Sequence, residues 1–282
     1  MRYTHSIMFA DLELAARIEN AEASLTREVA RASSRSHPEG NSFAMDIGGG
    51  VAAFLRPGSP MNKVIGIFQA FPPEEELARL EHRYQQQAEP VRVELSTLAQ
   101  LDIGRRFTER GYRLLGFENV LGRPLTVAEP GSSAGAIAIE AISAEQLANW
   151  QRVVVDGFSQ PDETGVVVDS FTRDIIEQAM SDFLGAAGFS RYLAKRDGVV
   201  AGAASMRVSE DVALLTGAAT LTEHRRRGVQ GALLERRIHH AAALGARIAV
   251  ITTAGGTRSQ ANAMARGFSL LYSRAILVLG SP

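Results

Sequence analysis

An arginine- and glycine-rich run that follows an apolar segment and opens a helix constrains this chain most. Residues 214–221 read as an apolar strand, a polar turn follows at 222–224, and residues 225–231 spell RRRGVQG at the start of a helical stretch that ends near Leu244. A strand that leads through a tight turn into a helix is the βα unit of α/β proteins. The segment therefore predicts an α/β fold with a long helix that begins at Arg226.

The same run is suited to binding an anion. The first N–H groups of a helix have no partner within it and lie at the positive end of its dipole. Gly228 and Gly231 leave the backbone uncovered, and three neighbouring arginines add charges that suit phosphate. Arginines at a helix N-terminus oppose the dipole unless an anion lies there, which favours a ligand over a solvated turn facing nucleic acid. Neither a P-loop nor a G-x-G-x-x-G motif is present, so a different pyrophosphate ligand is predicted.

The chain repeats one order of elements. Its first half reads as helix, strands, charged helix, strand, short helix and a final strand pair near Leu125. Its second half reads as strand, two helices, a hairpin around Asp197-Gly198, strand, long helix, strand, short helix and strand. The letters RGYRLL at 110–115 also return as RGFSLL at 266–271. These agreements predict a duplicated unit of roughly 140 residues. Two unrelated α/β domains that share an R-G-aromatic turn are the alternative.

A change of composition separates the halves. Residues 126–135 (TVAEPGSSAG) collect proline, glycine and serine between strand-like runs, as linkers do. The length of 282 residues also exceeds a typical domain of roughly 100–200 residues. We predict one domain over residues 1–125, a linker over 126–135 and a second domain over 136–282.

Composition excludes several classes of function. Lysine and arginine (30) nearly balance aspartate and glutamate (31), so no global field attracts nucleic acid or an anionic membrane. The absence of cysteine excludes disulfides, thiolate catalysis and cysteine-based metal sites. Residues 1–20 mix charged and apolar side chains, and no run approaches about 20 apolar residues. We expect a cytoplasmic protein without a nucleic-acid partner, a membrane partner or a metal.

The order strand, R-x-x-G-x-G/A loop, long helix, strand and short helix with a closing Gly-Phe turn resembles the GCN5-related N-acetyltransferase (GNAT) family. Arg225 and Gly228 take the first and fourth motif positions, and Gln230 stands where Gly or Ala is usual. The resemblance is strong over 136–282 and rests on element order and the RGY turn over 1–125. It implies an α/β (α+β) fold of two tandem GNAT-like domains, each a mixed, mostly antiparallel central sheet flanked by helices.

The resemblance also implies acetyl-CoA as co-substrate and a site for it. The strand before the loop would pair with the pantetheine arm, the loop amides would hold the pyrophosphate, and an asparagine of the short helix would reach the acyl region. By this resemblance the coenzyme-binding residues are Ala219, Thr220, Leu221, Arg225, Arg226, Arg227, Gly228, Val229, Gln230, Gly231 and Asn262. An amine would attack the thioester directly, and a backbone N–H near Thr220–Leu221 would stabilise the oxyanion.

The sequence departs from the family pattern at the catalytic positions. Ala263 stands where many members carry a tyrosine that protonates the leaving thiolate. Tyr272 lies in the last strand, where it is expected to pack or to line the pocket. No general base is assigned. The candidates for a general base are Asp162, Glu163, Glu223 and His224. Of these, Glu223 and His224 are predicted to be solvated turn residues.

The first half lacks a phosphate loop. The matching place, residues 71–77, reads FPPEEEL, and three glutamates at a helix start satisfy the dipole and repel a pyrophosphate. This half is therefore predicted to leave the coenzyme unbound, to pack as a built-in dimer partner and to wall the acceptor pocket. Other expectations are a hairpin tip or bulge at Gly48–Gly50, packing for Trp150 and a surface pair at His239-His240.

Three hypotheses about function follow. The leading one is an N-acyltransferase that moves an acetyl group to an amine of a small molecule or peptide, as a monomer with an internal pseudo-dimer or as a homodimer. The second is an acyl-CoA-binding sensor or pseudo-enzyme, because the tyrosine and an obvious base are missing. The third is a scaffold whose arginine loop binds nucleic acid; the balanced charge and the lack of an aromatic-interleaved basic face oppose it.

Overall fold

The computed structural model describes residues 8–126, 137–160 and 171–280. All of the predicted linker except residue 126 lies outside these ranges, and so do Asp162 and Glu163. The domain boundaries at 125 and 136 therefore stay a prediction.

Helices and strands alternate along both halves. The elements of the N-terminal half are α1 (Leu12–Ser36), β1 (Phe43–Ile47), β2 (Gly50–Phe54), β3 (Lys63–Ile65), α2 (Glu74–Gln86), β4 (Val91–Ser96), α3 (Leu101–Glu109) and β5 (Arg113–Pro124). The elements of the C-terminal half are β6 (Ile137–Ala141), α4 (Leu147–Phe158), α5 (Arg173–Gly185), β7 (Phe189–Arg196), β8 (Val199–Ser209), β9 (Val212–Thr220), α6 (Val229–Ala243), β10 (Ile248–Thr253), α7 (Arg258–Met264) and β11 (Ser269–Leu279).

Helix α1 carries a buried stripe that includes a carboxylate. Asp11 caps the helix, since its side chain accepts a hydrogen bond from the Leu14 N–H (2.8 Å). Leu14, Ile18 and Leu25 recur at helical spacing and are buried. Glu22 lies on the same stripe and is buried as well. The helix thus carries an acidic group into the interior, where burial of a charge requires a partner.

The strands of the described residues form one sheet in the order β1-β2-β3-β4-β11-β5-β10-β9-β8-β7-β6. The closing strand of each half lies within the other half. Strand β5 is antiparallel to β10 and β11, and β11 is antiparallel to β4 and β5. The sheet is mixed and mostly antiparallel, as predicted. Because the closing strands are exchanged, each half completes the sheet of the other.

The two halves pair their strands in the same way. In the first half β1, β2 and β3 are antiparallel neighbours and β3 is parallel to β4. In the second half β7, β8 and β9 are antiparallel neighbours and β9 is parallel to β10. Helices α2 and α6 make the corresponding crossovers between the parallel strands. This correspondence supports a duplicated unit.

The R-G-aromatic turns have the same geometry in both halves. Gly111 and Gly267 end helices α3 and α7 with positive φ angles of 98° and 80°. Tyr112 and Phe268 donate their N–H groups to carbonyls within the preceding helices and bury their rings. A glycine with positive φ is the usual way to reverse the chain after a helix. The repeated letters therefore correspond to a repeated turn.

Two sequence predictions about elements are wrong. The final strand pair expected near Leu125 is the single strand β5. Gly122 of this strand, which has no side chain, lets the Leu271 side chain lie close to the backbone of β5. A Cβ on Gly122 would lie 2.5 Å from Leu271 Cδ1. Helix α6 begins at Val229, three residues after the predicted start, because Arg226 (φ 60°) and Gly228 (φ 84°) adopt left-handed conformations that a helix excludes.

The largest buried cores of the described residues are one in each half and a third between them, and a smaller core surrounds Trp150. The N-terminal core includes Leu77, Leu80, Phe107 and Tyr112, and the C-terminal core includes Leu233, Leu234, Ala263 and Phe268. The third core packs the apolar stripe of α1 against Leu214, Val250 and Tyr272. Helix α1 therefore joins the halves through apolar burial. None of the helices in the described ranges has the length and apolar character that a membrane crossing requires.

Candidate functional site

The arginine–glycine run forms a tight loop between β9 and α6. A 3-10 turn at Thr222–His224 is followed by a turn at residues 225–228, and Gly228 occupies the N-cap of α6 without a capping side chain. The first N–H groups of α6 are therefore left without a side-chain cap and lie at the positive end of the helix dipole. Arg226 holds a left-handed conformation that is costly for a residue with a side chain. Such strain is typical of a functional loop.

A cleft of about 310 Å³ opens at this loop. It lies between the end of β9, the start of α6 and helix α7. The residues that line it are Gly157, Phe158, Ala218, Ala219, Thr220, His224, Arg225, Arg226, Gly228, Val229, Gln230, Gly231, Arg258, Ser259, Asn262 and Arg266. The fold thus brings all but two of the predicted coenzyme-binding residues to one cleft.

The two exceptions are Leu221 and Arg227. Leu221 packs, partly buried, against the core around Trp150, and its N–H donates to the Ala201 carbonyl (3.0 Å). Arg227 is exposed and does not line the cleft. Because N–H groups alternate in direction along a strand, the Thr220 N–H points away from β8, toward the open edge of β9. Thr220, and not Leu221, is placed to pair with an extended ligand.

Arg225 organises the loop. Its guanidinium donates to the carbonyl oxygens of Gly157 (3.3 Å) and Thr220 (3.4 Å) and to that of Gln160. These bonds tie the loop to the C-terminal end of α4. Helix α4 lies close to β9 there, since a Cβ on Gly157 would meet Ala219 Cβ at 2.5 Å. Arg225, the first arginine of the motif, therefore positions the loop. The sequence predicts this arginine to be a phosphate ligand.

Two further arginines line the cleft that sequence reasoning did not assign. Arg258 begins α7, and Arg266 follows it in the R-G-aromatic turn. The Arg266 guanidinium covers Gly231, where a Cβ would lie 1.8 Å from Nη2. Gly231 thus makes room for a cation above the first turn of α6. None of the described residues that line the cleft carries a carboxylate, and four arginines are among them, which favours an anionic ligand.

Three buried polar atoms of the cleft have no hydrogen-bond partner within the described chain. They are the Thr220 hydroxyl oxygen, the His224 imidazole Nδ1 and Arg266 Nε, the last of which lies 3.5 Å from Glu235 Oε1. His224 was expected to be a solvated turn residue, but it is half-buried and lines the cleft. Buried polar atoms without partners are costly, which indicates that a ligand with hydrogen-bonding groups completes them.

A second cavity of about 430 Å³ adjoins the cleft. Strand β9 pairs with β10 only at residues 212–214, after which the two strands separate and leave a gap between them. The second cavity occupies this gap and continues toward α1 and β3 of the N-terminal half. The five residues that line both spaces are Phe158, Ala218, Gln230, Ser259 and Asn262. Two ligands could therefore meet at the open edge of β9.

A β-bulge lies at the point where the strands separate. The register of β9 against β8 shifts after Thr216, and Gly217 has a φ of 57°. A Cβ on Gly217 would lie 2.9 Å from Ser205 Oγ. The bulge is at Gly217–Ala218, so the strands separate before Thr220–Leu221, where the oxyanion amide was expected, and the irregular backbone lines the second cavity. The Leu221 N–H is bonded to the Ala201 carbonyl.

Residues 158–268 match the model of the Acetyltransferase (GNAT) family. This range contains the arginine–glycine loop, the separating strands and Asn262. The C-terminal half carries a GNAT domain. No curated protein matches the chain at a significant level.

Solved structures extend the likeness to both halves. A GCN5-related N-acetyltransferase from Kribbella flavida is 18% identical, with 95% of this chain and 96% of that one covered and a TM-score of 0.66. A tandem GNAT protein from the clavulanic acid biosynthesis pathway is 14% identical, with 98% of each chain covered and a TM-score of 0.52. At these identities the likeness concerns the fold. The chain consists of two tandem GNAT-like domains, as predicted, and the GNAT fold supports acyl transfer in general.

The GNAT domain lacks the tyrosine of the family pattern. Ala263 is buried in the core of the domain. Tyr272 packs, as expected: it is buried, and its hydroxyl donates to Glu19 Oε1 (2.8 Å). Glu223 is exposed in its turn, as expected. No tyrosine is among the described residues that line either space, so the structure brings no phenolic acid to the reacting region.

A buried charge network joins the GNAT domain to the N-terminal half beside the second cavity. Arg274 of β11 donates through Nε to Glu19 Oε1 (2.8 Å) and through Nη1 to Glu118 Oε1 (3.0 Å). Lys63 Nζ donates to Glu94 Oε2 (2.9 Å). Removing one partner of a buried pair leaves the other charge uncompensated. The exchanged strands are thus held by charges as well as by backbone pairing.

Glu118 makes this network sensitive to pH. Burial, together with the nearby Glu94 carboxylate, raises the pKa of Glu118 to about 7, although Arg274 and Lys63 oppose the shift. The folded state therefore holds the Glu118 proton more tightly than the unfolded state does. Its contribution to stability is present in full below the ordinary pKa and is lost as pH rises through 7.

Replacing Glu118 by glutamine is expected to remove that loss. The free energy of unfolding of E118Q relative to the wild type should rise by roughly 1–3 kcal/mol between pH 5 and pH 8. Urea denaturation across this range measures the difference. E109Q, at an exposed position of α3, is the matched control and should follow the wild type at every pH. Parallel curves for E118Q and the wild type would contradict the shift.

The N-terminal half has no arginine–glycine loop at the start of α2, the helix that corresponds to α6 of the GNAT domain. Helix α2 begins at Glu74 with Pro73 at its N-cap, and prolines at 72 and 73 offer no N–H groups. Arg110 donates to Glu74 and Glu81, so an internal ion pair lies at the start of this helix. Pro72 is buried, whereas Gly228 at the start of α6 is exposed.

The remaining sequence expectations concern packing. Trp150 is buried in the core beneath α4 and donates through Nε1 to the Ala204 carbonyl (3.0 Å). The three glycines at 48–50 form the tip of the β1–β2 hairpin. His240 is a correction, because it is half-buried and bonds through Nδ1 to the Tyr192 hydroxyl instead of lying on the surface. Within the described ranges, no group of three potential metal ligands includes it.

Proposed function

We propose that the protein is an acetyl-CoA-dependent N-acyltransferase that moves an acetyl group to an amine of a small molecule or peptide by direct attack. One observation carries the proposal: a positively charged cleft at the start of α6 opens, at the free edge of β9, into a second cavity between the separated strands. A transferase that forms no acyl-enzyme requires two such adjoining spaces.

The cleft fits the coenzyme by its chemistry. The uncapped N–H groups that follow Gly228 and the arginines at 226, 258 and 266 suit a pyrophosphate. The open edge of β9 at Thr220 suits the amides of a pantetheine arm, because an exposed strand edge offers unpaired backbone groups. The unpartnered Thr220 hydroxyl and His224 Nδ1 would gain partners on binding.

Asn262 and the β-bulge lie where the two spaces meet. Asn262 lines both the cleft and the second cavity, so its amide can orient an acyl group between them. The backbone of Gly217–Ala218 departs from regular pairing at the same junction. We propose that an N–H group of this bulge stabilises the oxyanion when the amine attacks. Holding both reactants here supplies rate through orientation.

Acetyl-CoA is expected to raise the melting temperature by about 5–10 °C at a concentration about 100 times its Kd, because it binds only the folded state. Pantetheine, which lacks the pyrophosphate, is the matched ligand and should cause a much smaller shift. Thermal-shift measurements with acetyl-CoA, longer acyl-CoAs and pantetheine, followed by thiol release with a panel of amines, test the proposal. Equal shifts with pantetheine and acetyl-CoA would contradict the pyrophosphate site.

The buried Ala263 favours one alternative, an acyl-CoA-binding sensor that transfers nothing. A missing phenolic acid slows thiolate departure but leaves binding intact. The same assay separates the two functions. A large acetyl-CoA shift together with thiol release that no amine accelerates would establish the sensor.

A further inference from the structure

The second cavity is built from both halves of the chain. Glu22 and Leu25 of α1 and Met61 and Lys63 near the start of β3 line one side of it. The separated ends of β9 and β10 line the other side. A molecule that fills this space and meets the coenzyme cleft therefore contacts the half that has no phosphate loop.

Of the described residues, three with charged side chains line the second cavity, and two of these side chains are bonded to other groups of the protein. Lys63 Nζ is paired with Glu94 Oε2 at 2.9 Å. Arg237 is 2% exposed, and its Nε and Nη1 donate to the carbonyl oxygens of Leu233, Ser205 and Thr216. Both cations thus bond to the walls of the cavity.

Glu22 is the third charged group, and it differs from the other two. Its Oε1 accepts one hydrogen bond, from Thr252 Oγ1 (3.2 Å), and no cation of the described residues forms an ion pair with it. Arg274 and Lys63 also attract it, but both cations are hydrogen-bonded to other carboxylates, Arg274 to Glu19 and Glu118 and Lys63 to Glu94. Glu22 is 8% exposed and lines the cavity. A buried carboxylate that shares its cations with other carboxylates is incompletely compensated, and a cationic ligand would supply the missing charge.

We propose that Glu22 binds the ammonium group of the acceptor, so that the protein selects alkylamines over neutral aryl amines. The bound ammonium gives a proton to water before its neutral nitrogen attacks the thioester carbonyl; the C–S bond then breaks, and the coenzyme thiolate takes up a proton from water. This inference rests on the proposed function, since it assigns the second cavity to the acceptor. The carboxylate is held ready for this role, because Thr252 fixes one oxygen while α1 is anchored through its apolar stripe. The N-terminal half thereby supplies the residue that determines acceptor specificity.

The test compares two amines of nearly equal size. 2-Phenylethylamine is a cation near neutral pH and 4-ethylaniline is neutral, so only the former can pair with Glu22. With saturating acetyl-CoA, thiol release by the wild type is expected to be faster with the alkylamine. E22Q should lower kcat/KM for the alkylamine by about 10–100-fold and leave kcat/KM for 4-ethylaniline and the KM for acetyl-CoA within about twofold. E22D, which keeps the charge, should retain more of the alkylamine activity than E22Q.

E13Q is the matched control, because Glu13 is an exposed carboxylate of the same helix and lines neither space. It should behave as the wild type. The acetyl-CoA thermal shift of E22Q reports whether that variant is folded and whether its coenzyme site is intact.

The possible failures are distinguishable. If E22Q lowers the rates with both amines equally, or changes neither, the role of Glu22 is overturned while the transferase stands. If the wild type binds acetyl-CoA but acetylates no amine from a wider panel of alkylamines, polyamines and amino sugars, the inference is overturned and the sensor is favoured. If acetyl-CoA causes no thermal shift in the wild type, the proposed function is overturned together with the inference.

Discussion

Replacing Gly228 by glutamate is expected to abolish the thermal shift that acetyl-CoA causes. Gly228 is the N-cap of α6, with a φ of 84°, and it lines the cleft. Glutamate would place a carboxylate beside the uncapped N–H groups and the arginines, where it would satisfy them and repel a diphosphate. The glutamates at the start of α2 in the N-terminal half show the same arrangement. Thermal shift and isothermal titration calorimetry measure the loss.

Two controls separate charge from backbone strain. Gly198 has a φ of 80° at the tip of the β7–β8 hairpin, with open space around its α-carbon. G198E therefore carries similar strain without touching the cleft, and it should lose some stability but keep the acetyl-CoA shift. G228A should keep most of the shift, since it introduces strain without a carboxylate. Retention of the full shift by G228E would contradict the proposed coenzyme site.

Residues 136–282 produced alone are expected not to fold into a coenzyme-binding domain. Strand β11 pairs only with β4 and β5 of the other half, and β10 also pairs with β5. Without residues 1–126, β11 has no partner strand, and the apolar face covered by α1 is exposed. Circular dichroism and acetyl-CoA titration of the isolated half should show no cooperative unfolding and no binding.

The control keeps both halves but breaks the covalent link. A protease site inserted in the predicted linker and then cleaved should leave the halves together, because the sheet and the charge network around Arg274 hold them. The cleaved protein should retain the acetyl-CoA shift. An isolated 136–282 chain that folds as a monomer, with β11 beside β10, would show that strand exchange is not required.

The sequence was informative where chemistry depends on local order. The loop at 225–231, the strand before it and Asn262 were assigned together, and all but Leu221 and Arg227 line one cleft. Glycine positions and a strand–turn–helix pattern are local, so they can be read without the fold. The start of α6 could not be read to the residue, because the left-handed conformation of Arg226 is imposed by the loop and costs energy in isolation.

Glu22 was missed, although α1 contains a signal for it. Leu14, Ile18 and Leu25 form an apolar stripe, and Glu22 lies on it with helical spacing. A carboxylate on the buried face of an amphipathic helix is unusual enough to suggest a partner or a ligand. Its position beside the second cavity could not be inferred, because that cavity requires the separated strands of the other half.

The sequence by itself determined the elements, their repetition and the loop that suits a diphosphate, because hydrophobic periodicity, turn glycines and a helix N-terminus act over a few residues. Only the tertiary structure decided that β5 and β11 change places, that α1 seals the junction and that an acidic side chain of one half faces the cavity of the other. Antiparallel pairing is satisfied equally by a strand of the same half or of its duplicate. Which of the two strands is paired depends on packing across the whole sheet, and a local sequence pattern does not predict that packing.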